Sequence, residues 1–150
     1  MNAMLQQFFM TPSFRYGILM ADDKKEPNWA KKDNKIIWDD NVLHQLQQMF
    51  GFLELTDRMD YNPIEFCLSF KDYSGQPVNV MIQQDTQEFL NNLFDKLETG
   101  LKDTPFKHIT ESVYGGKTSN QMICQGCGNM KERVETFLNM SLEVKNLKNL

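Results

Sequence analysis

The chain has little cysteine, little histidine and no long apolar run. Three cysteines in 150 residues is an odd count. That excludes the even-numbered disulfide framework of a small secreted domain and points to a reducing, intracellular setting, cytoplasmic or nuclear. The two histidines, His44 and His108, have no Cys, Asp or Glu at ligand or triad spacing and read as surface residues. No stretch approaches the ~20 apolar residues that cross a bilayer, so no membrane partner is expected. The opening MNAMLQQFFM lacks a basic segment and a small-residue cleavage site, so no secretory signal is legible. Charge of one sign is not concentrated either. Sixteen Lys+Arg are interleaved with 20 Asp+Glu for a net charge of -4, which leaves no basic face for nucleic acid. What is present is 41% hydrophobic and 11% aromatic residues, enough for a core and too much for a disordered tail. The length fits one domain or a piece of a larger one.

Apolar spacing organises the first two thirds into helices. Met4, Leu5, Phe8 and Phe9 form one set, and Phe14, Ile18 and Leu19 a second, with Pro12 opening the second helix where a missing N–H costs nothing. Between Ala21 and Asp40, 11 of 20 residues are charged with alternating sign, which reads as a solvated loop; Trp29 and Trp38 flank its basic part without a legible role. Helical spacing returns from Asp40 to Leu55 and in a shorter piece from Asn62 to Phe70, with Asn62 as N-cap and Pro63 following. The strongest stripe is Phe89, Leu90, Leu93, Phe94, Leu97 and Leu101, in a helix from about Gln84, with Gly100 as its expected terminator. After Pro105 the texture changes. Ile109–Cys124 and Met130–Val144 alternate in short segments that read as β-strands, with Gly115-Gly116 as a hairpin turn. Helices first and strands second make an α+β pattern.

Two local signals carry chemistry. Cys124-Gln-Gly-Cys127-Gly128 lets two thiolates converge on one soft cation, the following glycine permitting the tight turn. Zinc wants four such ligands, so this is half a zinc ribbon. The competing reading is a redox dithiol, which belongs between a strand and a helix rather than between strand-like segments. Cys67, among Ile64, Phe66 and Phe70, reads as a buried core thiol. The second signal is Gln83-Gln84-Asp85-Thr86-Gln87-Glu88. Asp85 with Glu88 three residues on makes a capping box, and the same two carboxylates beside a helix start could hold an arginine-rich peptide. Sequence physics alone favours the cap. Gly116-Lys117-Thr118 lacks the earlier glycine of a phosphate loop, since position 111 is Glu111.

Taken in order, MNAMLQQFFM, QQDTQEF, VYGGKTSNQMICQGCG and ETFLNMSLEV resemble the ubiquitin-specific protease family, closest to its large, fat-facets-like members. The resemblance covers most of the chain outside 21–40. It implies a papain-like fold, with residues 1–108 as part of the helical thumb and 109–150 as the start of the β-rich fingers. It implies a cysteine-type deubiquitinase that cleaves after ubiquitin's C-terminal Gly-Gly, with ubiquitin and ubiquitinated proteins as partners. Met1-Asn2 resembles the Met-Asn that follows the family's nucleophilic cysteine, which would lie two residues before Met1. The family's oxyanion-hole asparagine, histidine and final Asp or Asn would also fall outside these residues, so this chain is expected to be inactive alone. By the same resemblance, Gln83, Asp85 and Glu88 bind the arginine-bearing tail of ubiquitin. Cys124 and Cys127 are then the first half of a structural zinc site. A non-catalytic ubiquitin- or partner-binding module is the alternative.

Overall fold

A computed structural model describes residues 1–22, 41–58, 60–72, 74–142 and 145. Most of the charged 21–40 stretch, with Trp29 and Trp38, lies outside the described residues. The elements run α1 (Asn2–Phe9), α2 (Pro12–Leu19), α3 (Val42–Leu55), α4 (Ile64–Ser69), α5 (Thr86–Leu101), α6 (Ile109–Tyr114), then β1 (Gly116–Ile123) and β2 (Met130–Phe137). The α+β order is the one expected. The chain separates into two units, Met1–Ile109 and Thr110–Leu150.

In the first unit, helices form where apolar residues recur every three or four positions and where a cap satisfies the first free N–H groups. Pro12 opens α2 after Thr11. Asn41 caps α3 by accepting from Leu43 N at 3.0 Å. Asp85 caps α5, accepting from Gln87 N at 2.8 Å and Glu88 N at 3.0 Å. The buried faces meet in an aromatic core. Phe8 packs on Phe14 and on Phe94, with centroids 5.3 and 5.7 Å apart, and Phe70 on Phe89 at 5.0 Å. Leu43, Leu46, Phe50, Leu93 and Leu97 are wholly buried beside them. Polar ties hold the ends. Gln47 Nε2 donates to the carbonyls of Ile18 and Ala21 at 2.8 and 2.6 Å, and Arg15 donates to Phe9 O at 2.7 Å while pairing with Glu54.

Three local expectations change. Gly100 lies inside α5 rather than ending it; a Cβ there would sit 3.2 Å from Leu43 Cβ, so its smallness serves the approach of α3. α4 begins at Ile64 with Pro63 at the cap position, in place of Asn62. Ile109–Tyr114 is a helix, not a strand, so Gly115-Gly116 is no hairpin turn: Gly115 ends the helix by donating to Glu111 O at 2.8 Å, Gly116 opens β1, and the hairpin turns between Ile123 and Met130.

In the second unit, β1 and β2 form a two-stranded antiparallel ribbon, paired from Gly116↔Phe137 to Ile123↔Met130. The Phe137 ring lies where a side chain at 116 would go, which explains a glycine at the strand start.

Candidate functional site

A groove of about 1050 Å³ opens on the first unit. One wall is the start of α1, with Met1, Asn2, Leu5 and Phe9; another is the approach to α5, with Val80, Ile82, Gln83, Gln84 and Thr86. Met49, Phe50 and Leu53 of α3 supply apolar floor, and Arg58, Asp60 and Tyr61 of the α3–α4 connection supply polar rim. The fold thus brings Met1-Asn2 and the Gln83–Thr86 segment onto one cavity although some eighty residues of sequence separate them.

The approach to α5 is shaped by short-range hydrogen bonds. Asp72 Oδ1 accepts from Ser74 N, Ser74 Oγ and Gln76 N, and Gly75 turns the chain at φ +79°. The Ser74 hydroxyl, then the Gln76 N–H, hold the Asp72 carboxyl below its usual range. Asn92 Nδ2 of α5 donates to Lys71 O at 3.3 Å, and the Asn79 side chain accepts from Met81 N at 3.0 Å. These contacts deliver Gln83 and Gln84 to the groove. Asp85 and Glu88 follow, both exposed, their backbones fixed by the cap. The cap and two exposed acidic residues therefore share one helix start.

Cys67 is buried, as its apolar neighbours imply, yet it also lines the groove, with Sγ 4.0 Å from Met1 Sδ. Burial pushes its thiol up, with the nearby N-terminal ammonium opposing. Tyr61 is also raised, first by desolvation and then by the Glu65 carboxylate. Arg58, Asp60 and Tyr61 escaped sequence reasoning because a polar linker between two helices carries no periodic or motif signal.

Cys124 and Cys127 lie in the second unit, exposed at the tip of the β1–β2 hairpin. Gly128 N donates to Cys124 O at 2.8 Å, and Gly128 takes φ +68°, a left-handed turn conformation that glycine adopts without strain. The backbone N–H of Cys127, its thiol and the N–H of Gly126 all donate to the Cys124 sulfur and hold that thiol below its ordinary value. Thiolate is the form used both by a metal ligand and by a redox dithiol, so this depression fits either chemistry. Among the described residues no group of three or more His, Cys, Asp or Glu is placed to hold a metal. The pair fits two of the four positions that a structural zinc requires. No helix among the described residues is long and apolar enough to cross a membrane.

Comparison with known proteins agrees with the motif order. A family model described as ubiquitin carboxyl-terminal hydrolase matches residues 1–145. Ubiquitin carboxyl-terminal hydrolase 9X of Mus musculus is 30% identical over 184 residues, covering 100% of this chain and 7% of that protein. Ubiquitin carboxyl-terminal hydrolase 24 of Mus musculus is 33% identical over 150 residues, covering 100% of the chain and 5% of the relative. Ubiquitin carboxyl-terminal hydrolase puf of Drosophila melanogaster is 31% identical over 150 residues, again 100% of the chain and 4% of the relative. The chain therefore spans a small fraction of the length of these relatives.

Proposed function

The chain belongs to the ubiquitin carboxyl-terminal hydrolase family, and from that premise we propose that it forms the thumb and the first finger hairpin of a thiol-dependent deubiquitinase. Its helices and ribbon are then part of a papain-like α+β catalytic domain. The observation that carries this reading is the shared groove: Met1-Asn2, which resembles the segment following the family's nucleophile, faces the cavity that Gln83, Gln84 and Thr86 line. A cysteine two residues before Met1 would sit at the mouth of the helix that forms one wall. Asp85 and Glu88, beyond Gln83, would take the arginines of ubiquitin's tail by charge-assisted hydrogen bonds, and the apolar floor would take its aliphatic side chains. Cleavage after the terminal Gly-Gly also needs a base and an orienting group, supplied by parts of the domain outside these residues.

Cys124 and Cys127 would hold one half of a zinc ion that staples the hairpin tip to a second pair of thiolates; the metal is structural and takes no part in hydrolysis.

The test is hydrolysis of a ubiquitin C-terminal amide by a catalytic domain spanning these residues. Turnover should require the cysteine two residues before Met1 and vanish when it is changed to Ser. The 150 residues alone should neither turn over the amide nor react with an electrophilic ubiquitin probe. Labelling of Cys67, Cys124 or Cys127 by that probe, with release of its leaving group, refutes the assignment of the nucleophile upstream.

A further inference from the structure

The hairpin tip carries two free, exposed cysteines on one turn. The β1–β2 ladder ends at Ile123↔Met130, and Cys124 N donates to Asn129 O at 2.9 Å while Gly128 N donates to Cys124 O at 2.8 Å. Two backbone hydrogen bonds thus fix both ends of the turn. Cys124 and Cys127 occupy the first and fourth positions of that turn, both exposed, and the Cys127 thiol donates to the Cys124 sulfur. The bond from Gly128 N to Cys124 O closes a five-residue turn of α-helical type; helical geometry sets Cα atoms three residues apart at about 5 Å, and a disulfide bridges Cα atoms roughly 4.4–6.8 Å apart. No ladder pair has to break to close the bond. Cys67, at 9% exposure, is the least accessible of the three thiols.

We propose that Cys124 and Cys127 form a reversible intrachain disulfide across the hairpin tip, made by exchange with a small-molecule disulfide such as oxidised glutathione. The Cys124 thiolate attacks one glutathione sulfur, forming a mixed disulfide and releasing one glutathione thiolate. Cys127 gives its proton to solvent and attacks the Cys124 sulfur, displacing the second glutathione thiolate. Two protein thiols lose two electrons, and one small disulfide becomes two thiols. The oxidised pair has no thiolate left for a metal, so the bond and a zinc ion exclude one another. The inference does not depend on ubiquitin recognition.

The experiment equilibrates the full chain, with a metal chelator present, against ratios of reduced to oxidised glutathione. Samples are quenched in acid, unfolded, alkylated and weighed intact. Three alkyl groups are expected at the reducing end, because the chain has three free cysteines, and one at the oxidising end. Added reductant should restore all three. The Cys124→Ser and Cys127→Ser chains should form no intrachain bond and should carry a glutathione adduct instead. Three alkyl groups at the most oxidising ratio overturn the proposal. So does peptide mapping that places the bond between chains or onto Cys67.

Discussion

Replacing Asp85 separates its observed cap from its proposed hold on ubiquitin's tail. Its Oδ1 accepts from Gln87 N at 2.8 Å and Glu88 N at 3.0 Å, so the side chain satisfies two otherwise free donors of α5. Asp85→Asn keeps an amide oxygen in the same place, and Asn caps about as well as Asp. The lost charge at the positive helix end costs a few tenths of a kcal/mol at an exposed site. Asp85→Ala removes the acceptor and costs about 1 kcal/mol. At roughly 4–8 °C per kcal/mol for a unit of this size, Tm should fall by several degrees for Ala and hardly at all for Asn. Binding of ubiquitin's tail, by contrast, should weaken in both variants. An arginine held by a charge-assisted bond is worth about 1.5–3 kcal/mol, and both variants lose the charge. In a catalytic domain spanning these residues, kcat/KM on a ubiquitin C-terminal amide should therefore drop roughly tenfold or more for Asn, with its Tm unchanged. Equal efficiencies for wild type and Asn would reduce Asp85 to a helix cap. An Asn chain that melts as low as the Ala chain would refute the account of the cap itself.

Other outcomes follow from the packing and the thiols. Phe94→Ala empties a wholly buried site beside Phe8 and should cost about 3–5 kcal/mol, read from urea unfolding of the first unit. Gly116→Ala places a methyl group against the Phe137 ring and should speed amide exchange along β1 and β2 while leaving the helices protected. Zinc titration should saturate near one metal per two chains, since each chain offers two thiolates, and Cys124→Ser should abolish binding; a tight one-to-one site would show missed ligands. Burial raises the Cys67 thiol above its unfolded value, so its contribution to stability is complete below about pH 8.5 and is lost as pH rises through the folded value. Melting across the alkaline range should therefore show a steeper fall for wild type than for Cys67→Ala.

Long amphipathic helices were legible because their burial follows a single period. α3 and α5 carry five or more buried apolar residues each, and the pattern survives whatever they pack against. α6 was not legible. Its six residues, ITESVY, are too short for a helical period and contain β-branched residues that suit a strand equally well. Gly100 misled because a glycine near a helix end signals a stop, whereas here it admits Leu43 of the neighbouring helix. The Asp85 cap was written locally in the sequence, as was the Cys124–Cys127 turn. The groove was not, because no local pattern records that Asp60 and Tyr61 will border the same cavity as Met1.

The distance in sequence between the walls of that cavity sets when it can exist. Met1 and Gln83 meet only after the intervening helices have docked, and closing a loop of about eighty residues costs roughly 4 kcal/mol of chain entropy before any contact repays it. Non-local contacts of this kind slow folding, because their loop entropy is lost before they are made. A chain emerging from a ribosome could build α1 and α2 early yet would have no such cavity until the start of α5 had also emerged. A partly folded chain would likewise present its aromatic residues but no cavity. Completion of this cavity thereby reports that the helices around it have docked, a condition set by topology rather than by any one residue.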